Sequence, residues 1–163
     1  MRKKPTKYLS KEDALKKLQR YCAYQERCHQ EVRNKLLELR IYGDDLEEII
    51  ADLISDNYLN EERFAKIYAG GKFRIKKWGR VRILKELKLR KISAYSIKKA
   101  MAEIDEADYL KTLHEVFDKR YKNVIEPNEF KLKGNLAKYA MSRGFETNII
   151  WRELKKWSPP LDG

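Results

Sequence analysis

Apolar residues recur in this chain at a spacing of about fifty residues, and this repeat constrains the fold more than any other feature. A shift of 51 residues superposes six apolar positions, namely Val32, Leu36, Ile41, Leu46, Ile50 and Leu53 on Ile83, Leu87, Ile92, Ile97, Met101 and Ile104. A further shift of 53 superposes four of these on the last third of the chain, at Leu136, Ala140, Phe145 and Ile150. Helical periodicity alone does not set the spacing across a turn. The constant place of Ile41, Ile92 and Phe145 therefore indicates a repeated unit.

Capping signals divide each round of the repeat into helices. Helix starts are indicated where a polar cap precedes acidic residues and an apolar stripe, and helix ends where glycine follows one. The second helix is expected to end at Gly43, and Asp44 with Glu47 is a candidate capping box for the third. Gly70 and Gly71 are interpreted as a bend or a close-packing site within the fourth helix. The predicted helix starts are Ser10, His29, Asp44, Asn60, the residues after Gly79, Ser93, Asp105, Glu129 and Glu146.

Composition supports a helical repeat protein. Glycine and proline are scarce, with 7 and 4 residues, while 42% of the chain is apolar and 38% is charged. These values favour helices with a large surface over a strand-and-turn architecture. We therefore expect an all-α fold of three tandem three-helix repeats, about nine helices, in an elongated, curved array. The predicted divisions are a basic flexible arm over residues 1–9 and repeats over residues 10–59, 60–104 and 105–158.

The positive charge is concentrated in the middle of the chain. Net charge is +12, and residues 60–104 carry 14 basic and only 4 acidic side chains. Residues 10–59 carry 8 and 11, and residues 105–163 carry 11 and 10, so the flanking thirds are nearly balanced. A localised positive field implies a polyanionic partner, which can be nucleic acid, a membrane surface or an acidic protein surface.

The basic block includes one amphipathic helix within residues 73–91. Phased at 100° per residue, Ile83, Leu84 and Leu87 share one arc, and Arg82, Lys85 and Leu89 lie on the opposite side. A solvated basic face is the ordinary interpretation of such a helix, but its place in a repeat and in the charged block favours a binding surface. The candidate partner-binding or DNA-binding residues are Arg74, Lys76, Lys77, Arg80, Arg82, Lys85, Lys88, Leu89, Lys98 and Lys99.

Leu89 admits two interpretations. A single exposed leucine is ordinary on protein surfaces and needs no function. An apolar contact in the middle of a charged interface would instead give selectivity for one protein partner over other polyanions.

Motifs for enzymatic chemistry are missing. The sequence contains no GxSxG, HExxH, P-loop or dinucleotide fingerprint, and its acidic residues cluster at helix starts, where capping explains them. Cys22, Cys28, His29 and His114 can in principle ligate a metal, but their spacing matches no zinc pattern. We therefore expect no enzymatic activity, no cofactor and no metal, with Cys22 a buried thiol on the first helix.

Membrane and export signals are also missing. No run of about 18 apolar residues occurs, and the N-terminus has no apolar segment of the kind found in signal peptides. We expect a cytoplasmic monomer with no membrane partner.

Two motifs resemble the RecX family of recombination regulators. Residues 57–65, NYLNEERFA, are similar to a family junction written gyL-[DN]-[DE]-x-RFA. Gly79, Ile83 and the pair Glu86-Leu87 are similar to the family pattern G-x-x-x-I-x-x-EL-x-x-[KR]-x-I. With the repeat spacing, the resemblance covers about residues 10–157. The chain departs from the family at His29 and Lys91, where members often have Ser and Gly, and its third repeat matches least.

The resemblance implies a regulator without catalysis of its own. Such proteins are all-helical, bind the RecA recombinase filament on DNA, lie along its helical groove and damp its ATPase and strand-exchange activities. Many also bind single- or double-stranded DNA non-specifically. The alternative is a stand-alone helical DNA-binding protein without a recombinase partner, since three-helix units can contain helix-turn-helix geometry.

Overall fold

The computed structural model describes residues 8–161. Within this range the chain forms nine α-helices and no β-strand, as predicted. Residues 1–7 of the predicted basic arm lie outside the described residues. The helices are α1 Lys11–Tyr24, α2 His29–Glu38, α3 Gly43–Ser55, α4 Glu61–Arg74, α5 Arg80–Leu89, α6 Ala94–Ala102, α7 Glu106–Tyr121, α8 Glu129–Ser142 and α9 Thr147–Leu154.

Four of the predicted helix starts are confirmed by side-chain caps. The Ser10 hydroxyl accepts a hydrogen bond from the Asp13 backbone N–H at 3.1 Å. Asn60 caps α4 through the Arg63 N–H at 2.8 Å, and Ser93 and Asp105 cap α6 and α7 in the same way. Each cap satisfies an N–H group that has no partner inside its helix, so these polar residues set where the helices begin.

The predicted boundary between α2 and α3 is wrong. Helix α2 ends at Glu38 rather than near Arg40, and Gly43 is the first residue of α3 instead of the end of α2. Helix α3 has no side-chain cap, so Asp44 with Glu47 is not its capping box. Glu47 instead forms an ion pair with Arg33 of α2 at 2.6 Å, which orients its side chain away from a capping role.

A turn with one left-handed residue recurs in the predicted register. Arg40, Lys91 and Gly144 have φ values of 62°, 57° and 95°, and each directly precedes one of the buried turn residues Ile41, Ile92 and Phe145. In the first copy, the Ile41 N–H donates to the Leu36 carbonyl at 2.9 Å and the Arg40 N–H to the Leu37 carbonyl at 3.0 Å. This Schellman pattern closes a helix and returns an apolar residue to the core. The repeat therefore preserves backbone geometry as well as apolar spacing.

The chain divides into two compact units. The first extends to Phe64 and includes Arg90–Ile92, and the second comprises Ala65–Leu89 and the chain from Ser93 onward. In the first unit, α1, α2 and α3 pack around a core that includes Leu18, Leu36, Ile49 and Leu53, each fully buried. The predicted division into three repeats, with boundaries at 59/60 and 104/105, stays a prediction.

The core of the second unit is aromatic as well as aliphatic. Tyr109 and Phe117 of α7 are fully buried. The Tyr109 ring lies 5.8 Å from that of Phe73 and 5.1 Å from that of Phe145. These rings connect α4, α7 and the turn before α9. Leu110, the next residue of α7, is only half-buried, so the buried face of this helix includes Tyr109 rather than Leu110.

Two backbone segments meet in the second unit at Gly79. The Gly79 N–H donates to the Arg143 carbonyl at 2.8 Å, and the Val81 N–H donates to the Gly144 carbonyl at 2.9 Å. Two N–H groups at the start of α5 thus bond the carbonyls of the two residues that follow α8, where helix ends leave backbone groups without intrahelical partners. A Cβ atom at Gly79 would overlap the Gly144 backbone, so only glycine permits this approach. Gly79 therefore sets the position of α5 as well as ending the segment before it.

Helix α4 runs through Gly70 and Gly71 to Arg74. A Cβ at Gly71 would meet nothing within 4 Å, so Gly71 is not a close-packing site. A Cβ at Gly70 would meet the guanidinium of Arg74, a flexible side chain. The prediction of close packing is therefore wrong for Gly71.

Candidate functional site

The ten candidate residues all lie in the second unit. Arg74 ends α4, Lys76 and Lys77 lie in the segment that leads to α5, and the remainder occupy two helices. On α5 these are Arg80, Arg82, Lys85, Lys88 and Leu89, and on α6 they are Lys98 and Lys99. We call the exposed faces of these elements the basic surface.

The predicted phase of α5 agrees with burial except at Leu84, which the phasing places on the buried arc but which is only half-buried and lines the surface with Leu89. Ile83 and Leu87 are fully buried, Lys85 is exposed, and Leu89 is 65% exposed. Arg82 is half-buried. The buried pair fixes the rotation of the helix, so the lysines and Leu89 point to solvent as a consequence of core packing.

Two cations from different helices, α4 and α5, contact the ring of Trp78. The Arg82 guanidinium lies 4.0 Å from the Trp78 ring centroid, and the Lys72 ammonium lies 4.9 Å from it. Cation–π contacts of this kind stabilise by about 0.5–1 kcal/mol at exposed sites. The sequence prediction missed Lys72 and Trp78, although an aromatic residue among basic residues is a pattern of nucleic-acid-binding surfaces.

Arg80 is half-buried and its guanidinium is bound by other groups of the protein. Its guanidinium bonds the Glu146 carboxylate at 3.0 Å and also pairs with Glu106. The same group stacks 3.8 Å above the ring of Tyr109, whose hydroxyl accepts from the Arg80 backbone N–H at 3.0 Å and donates to Glu146. The Arg80 side chain is 25% exposed. These contacts join the starts of α5 and α7 to the N-cap of α9.

The network shifts the titration of its members. Burial alone would lower the pKa of Arg80, but the hydrogen bonds to Glu106 and Glu146 outweigh it and raise the pKa. Burial raises the pKa of Tyr109, and the hydrogen bond to Glu146 raises it further. Arg80 thus stays charged and Tyr109 neutral at any physiological pH. Two carboxylates compensate the Arg80 charge, so it adds little to the field outside the protein.

The other cationic candidates differ in whether an acidic side chain of the protein forms an ion pair with them. Lys77 pairs with Glu115 at 2.8 Å. Lys99 lies 5.5 Å from the ring of Tyr95. In the part of the chain that the structure describes, no ion-pair partner contacts the four side chains of Arg74, Lys85, Lys88 and Lys98. These four cations are therefore available to an external anion.

Neither a metal centre nor a membrane span emerges from the described residues. Among residues 8–161, His, Cys, Asp and Glu side chains nowhere gather in a group of three or more that could hold a metal ion. None of the helices in this range has the length and apolar character needed to cross a membrane. Cys22 and Cys28 are buried free thiols. Burial raises the pKa of Cys22 to about 11.

The fold and the basic surface define a class of protein, an all-α protein of three-helix repeats with a cationic middle section. A family profile for the second three-helix domain of RecX matches residues 60–101, the part that carries this surface. The Regulatory protein RecX of Salmonella heidelberg (strain SL476) is 31% identical over 146 residues, covering 82% of this chain and 86% of the relative. That of Salmonella agona (strain SL483) is 30% identical with the same coverage. The chain belongs to the RecX family.

Solved structures agree with this assignment at the level of the fold. A crystal structure of the regulatory protein RecX superposes with a TM-score of 0.81 at 16% identity, covering 90% of this chain and 73% of the other. The crystal structure of RecX from Lactobacillus salivarius gives 0.77 at 22% identity, covering 90% and 97%. The all-helical repeat fold is therefore the fold of these proteins.

Proposed function

We propose that this chain binds the filament that a RecA-type recombinase forms on DNA, and that it inhibits the ATPase and strand-exchange activities of that filament. The observation that carries the proposal is the basic surface, which lies in the segment matched by the RecX second three-helix domain. The family resemblance supplies the expected partner, and the surface supplies a physical means of reaching it. Cytoplasmic location and a monomeric state belong to the same proposal.

The unpaired cations of the basic surface would provide the long-range attraction. A recombinase filament on DNA is a polyanion, because every nucleotide contributes a phosphate. Arg74, Lys85, Lys88 and Lys98 have no ion-pair partner among residues 8–161, so contact with phosphates or carboxylates would not require breaking one. Such charges raise association rates and make binding strongly dependent on salt.

Inhibition would need no chemistry from this chain. The relatives are named regulatory proteins, and a protein that lies along a filament can act by opposing movements of its subunits. The proposed regulator therefore works without a cofactor, and its effect on ATP hydrolysis is an effect on the catalytic state of the recombinase.

The test is the ATPase activity of a RecA-type recombinase on single-stranded DNA, with this protein titrated in. Lys85→Glu with Lys88→Glu is the preferred charge reversal, because both side chains are exposed and have no ion-pair partner in the described chain. Arg82→Glu with Lys85→Glu tests the same surface but also removes the stacking of Arg82 on Trp78. We expect the Lys85, Lys88 double variant to need at least about tenfold more protein for half-inhibition, with an unchanged melting temperature.

A matched control carries the same change of charge elsewhere. Lys16→Glu with Lys17→Glu alters two exposed lysines of α1 in the first unit and should leave inhibition within about twofold of the unaltered chain, because charges remote from an interface have small effects. Full inhibition by the Lys85, Lys88 variant would remove the basic surface from the mechanism. Inhibition weakened equally by both variants would indicate that only net charge matters, as for a non-specific DNA-binding protein.

A further inference from the structure

Helix α5 has a second apolar stripe that the core does not use. Val81, Leu84, Lys85, Lys88 and Leu89 line a shallow groove of about 340 Å³ on its surface. Their spacing of i, i+3, i+4, i+7 and i+8 is that of one helical face, and it differs from the face that buries Ile83 and Leu87. Val81 is 52% exposed and Leu89 65% exposed. The stripe includes three apolar side chains along about two helical turns.

The repeat within this chain indicates that the fold does not require the stripe. Helix α2 is equivalent to α5 at a shift of 51 residues, since Val32 and Leu36 are fully buried like Ile83 and Leu87. The α2 residues at the five positions of the stripe are Gln30, Arg33, Asn34, Leu37 and Glu38. Four of these five are polar and only Leu37 is apolar, so the equivalent helix of another repeat copy is stable without an apolar stripe on this face.

Charge around the stripe limits what can cover it. Lys85 and Lys88 line the groove, and no carboxylate pairs with either of them among the described residues. Their methylene stems can pack on an apolar partner while the ammonium groups remain at the edge. A second copy of α5 would bring these lysines against like charges. Phosphates would satisfy the lysines but would gain nothing from Val81 and Leu89.

We infer that this stripe of α5 is the docking face for an amphipathic helix of the recombinase, whose apolar side chains enter the groove and whose aspartates or glutamates flank them. A helix laid along a helical stripe is a common mode of peptide recognition. The inference rests on the proposed function and names the contact that would make binding selective. The apolar contact gives specificity for protein, and the lysines orient the partner helix.

Sedimentation with a RecA-type filament on single-stranded DNA tests the inference. The variant is Val81→Gln with Leu89→Gln, which places glutamine, the residue at position 30 of α2, into the stripe and leaves the charge unchanged. We expect at least about tenfold weaker binding to the filament, binding to the same bare DNA within about twofold, and an unchanged melting temperature. Leu37→Gln is the control, since Leu37 lies on α2 and is 42% exposed; it should bind the filament like the unaltered chain.

Photo-crosslinking identifies what covers the stripe. Benzoylphenylalanine at position 81 should crosslink to a recombinase segment that is helical and carries acidic residues beside apolar ones. Crosslinks to DNA, to a second copy of this chain or to a segment without carboxylates would overturn the inference.

The sedimentation results can contradict the proposed function and the docking face on α5 separately. If the unaltered chain does not sediment with the filament, the proposed function fails and the inference with it. If the unaltered chain sediments and the glutamine variant sediments equally well, the inference alone is wrong. A variant that loses filament and bare-DNA binding by the same factor also overturns the inference, because a docking face for a protein helix should not affect phosphates.

Discussion

The cationic side chains of the basic surface differ in their surroundings. Arg80 is stacked on Tyr109 and bonded to two carboxylates, whereas Lys88, eight residues further along the same helix, is exposed and has no ion-pair partner in the described chain. The sequence pattern placed both in one set of candidates. It could not separate them, because the partners Glu106 and Glu146 lie 26 and 66 residues away from Arg80 in the chain.

Alanine substitutions should distinguish these two residues. Arg80→Ala is expected to lower the free energy of unfolding by about 2 kcal/mol, because it removes charged hydrogen bonds and leaves the half-buried Glu146 carboxylate without its cationic partner. Lys88→Ala should change it by less than about 0.5 kcal/mol. Denaturant unfolding of both variants gives the comparison. Equal and small losses would mean that the Arg80 network does not stabilise the second unit.

The Cys22 thiol should be unreactive in the folded protein. Its side chain is buried and its pKa is raised to about 11, so at pH 8 only about a thousandth of it is thiolate. A Cys28→Ser variant leaves Cys22 as the only thiol and retains an oxygen that can donate to Glu31, as the Cys28 thiol does. We expect no reaction with a thiol reagent until guanidinium unfolds the chain. Rapid labelling of Cys22 under native conditions would show that its thiol is not buried in the core of the first unit.

Among the structural elements, the turns between helices were predicted least accurately from the sequence. The apolar register located the residues that return to the core, but it assigned the end of α2 to Gly43, and the left-handed residue is Arg40. In two of the three equivalent turns the left-handed residue is a lysine or an arginine, which composition does not signal. Burial of the following residue, Ile41 or Ile92, holds such a turn against its local preference.

Two glycines in neighbouring elements should respond oppositely to alanine. Gly79→Ala should cost about 3 kcal/mol or more, since its Cβ would overlap the backbone of Gly144 and disturb the contact between α5 and the end of α8. Gly71→Ala should stabilise the protein by up to about 1 kcal/mol, because it lies within α4 where a Cβ meets nothing within 4 Å. Thermal unfolding measures both. A stabilising Gly79→Ala would contradict the close approach at the start of α5.

Acid should weaken the contact between α7 and α9. Burial would raise the pKa of Glu153, but hydrogen bonds from His114 at 3.0 Å, from Arg152 and from Lys156 outweigh it and lower the pKa. A carboxylate whose pKa is lower in the folded than in the unfolded protein stabilises the folded state. For Glu153 this stabilisation is complete above the unfolded pKa of about 4.3, and it is lost as the pH falls through the folded pKa.

A comparison of melting temperatures across pH tests this prediction. Glu153→Gln should lower the melting temperature at pH 7, and the difference from the unaltered chain should shrink below about pH 4. Glu129→Gln is the control, because Glu129 is exposed and its pairing with Lys133 on the surface contributes little. A difference that stays constant from pH 7 to pH 3 would show that the charge of Glu153 is not the cause.

At the scale of the whole molecule, the repeat was the most informative part of the sequence. Superposition of Val32 on Ile83 and of Leu36 on Leu87 predicted the helical repeats, and all four residues are fully buried. An apolar register reports which face of each helix is buried, so it could predict the fold class, but it does not report which surface cations acquire partners. The elongated, curved outline and the partner-binding role of the ten candidate residues stay predictions.

We propose that this chain recognises a recombinase filament rather than DNA alone. The most direct measurement compares its affinity for a RecA-type filament on single-stranded DNA with its affinity for the same bare DNA at the same salt. We expect at least about tenfold tighter binding to the filament, and both affinities should fall as salt rises because the basic surface contributes to each. Equal affinity for the two ligands across the salt series would contradict recognition of the filament and indicate a stand-alone DNA-binding protein.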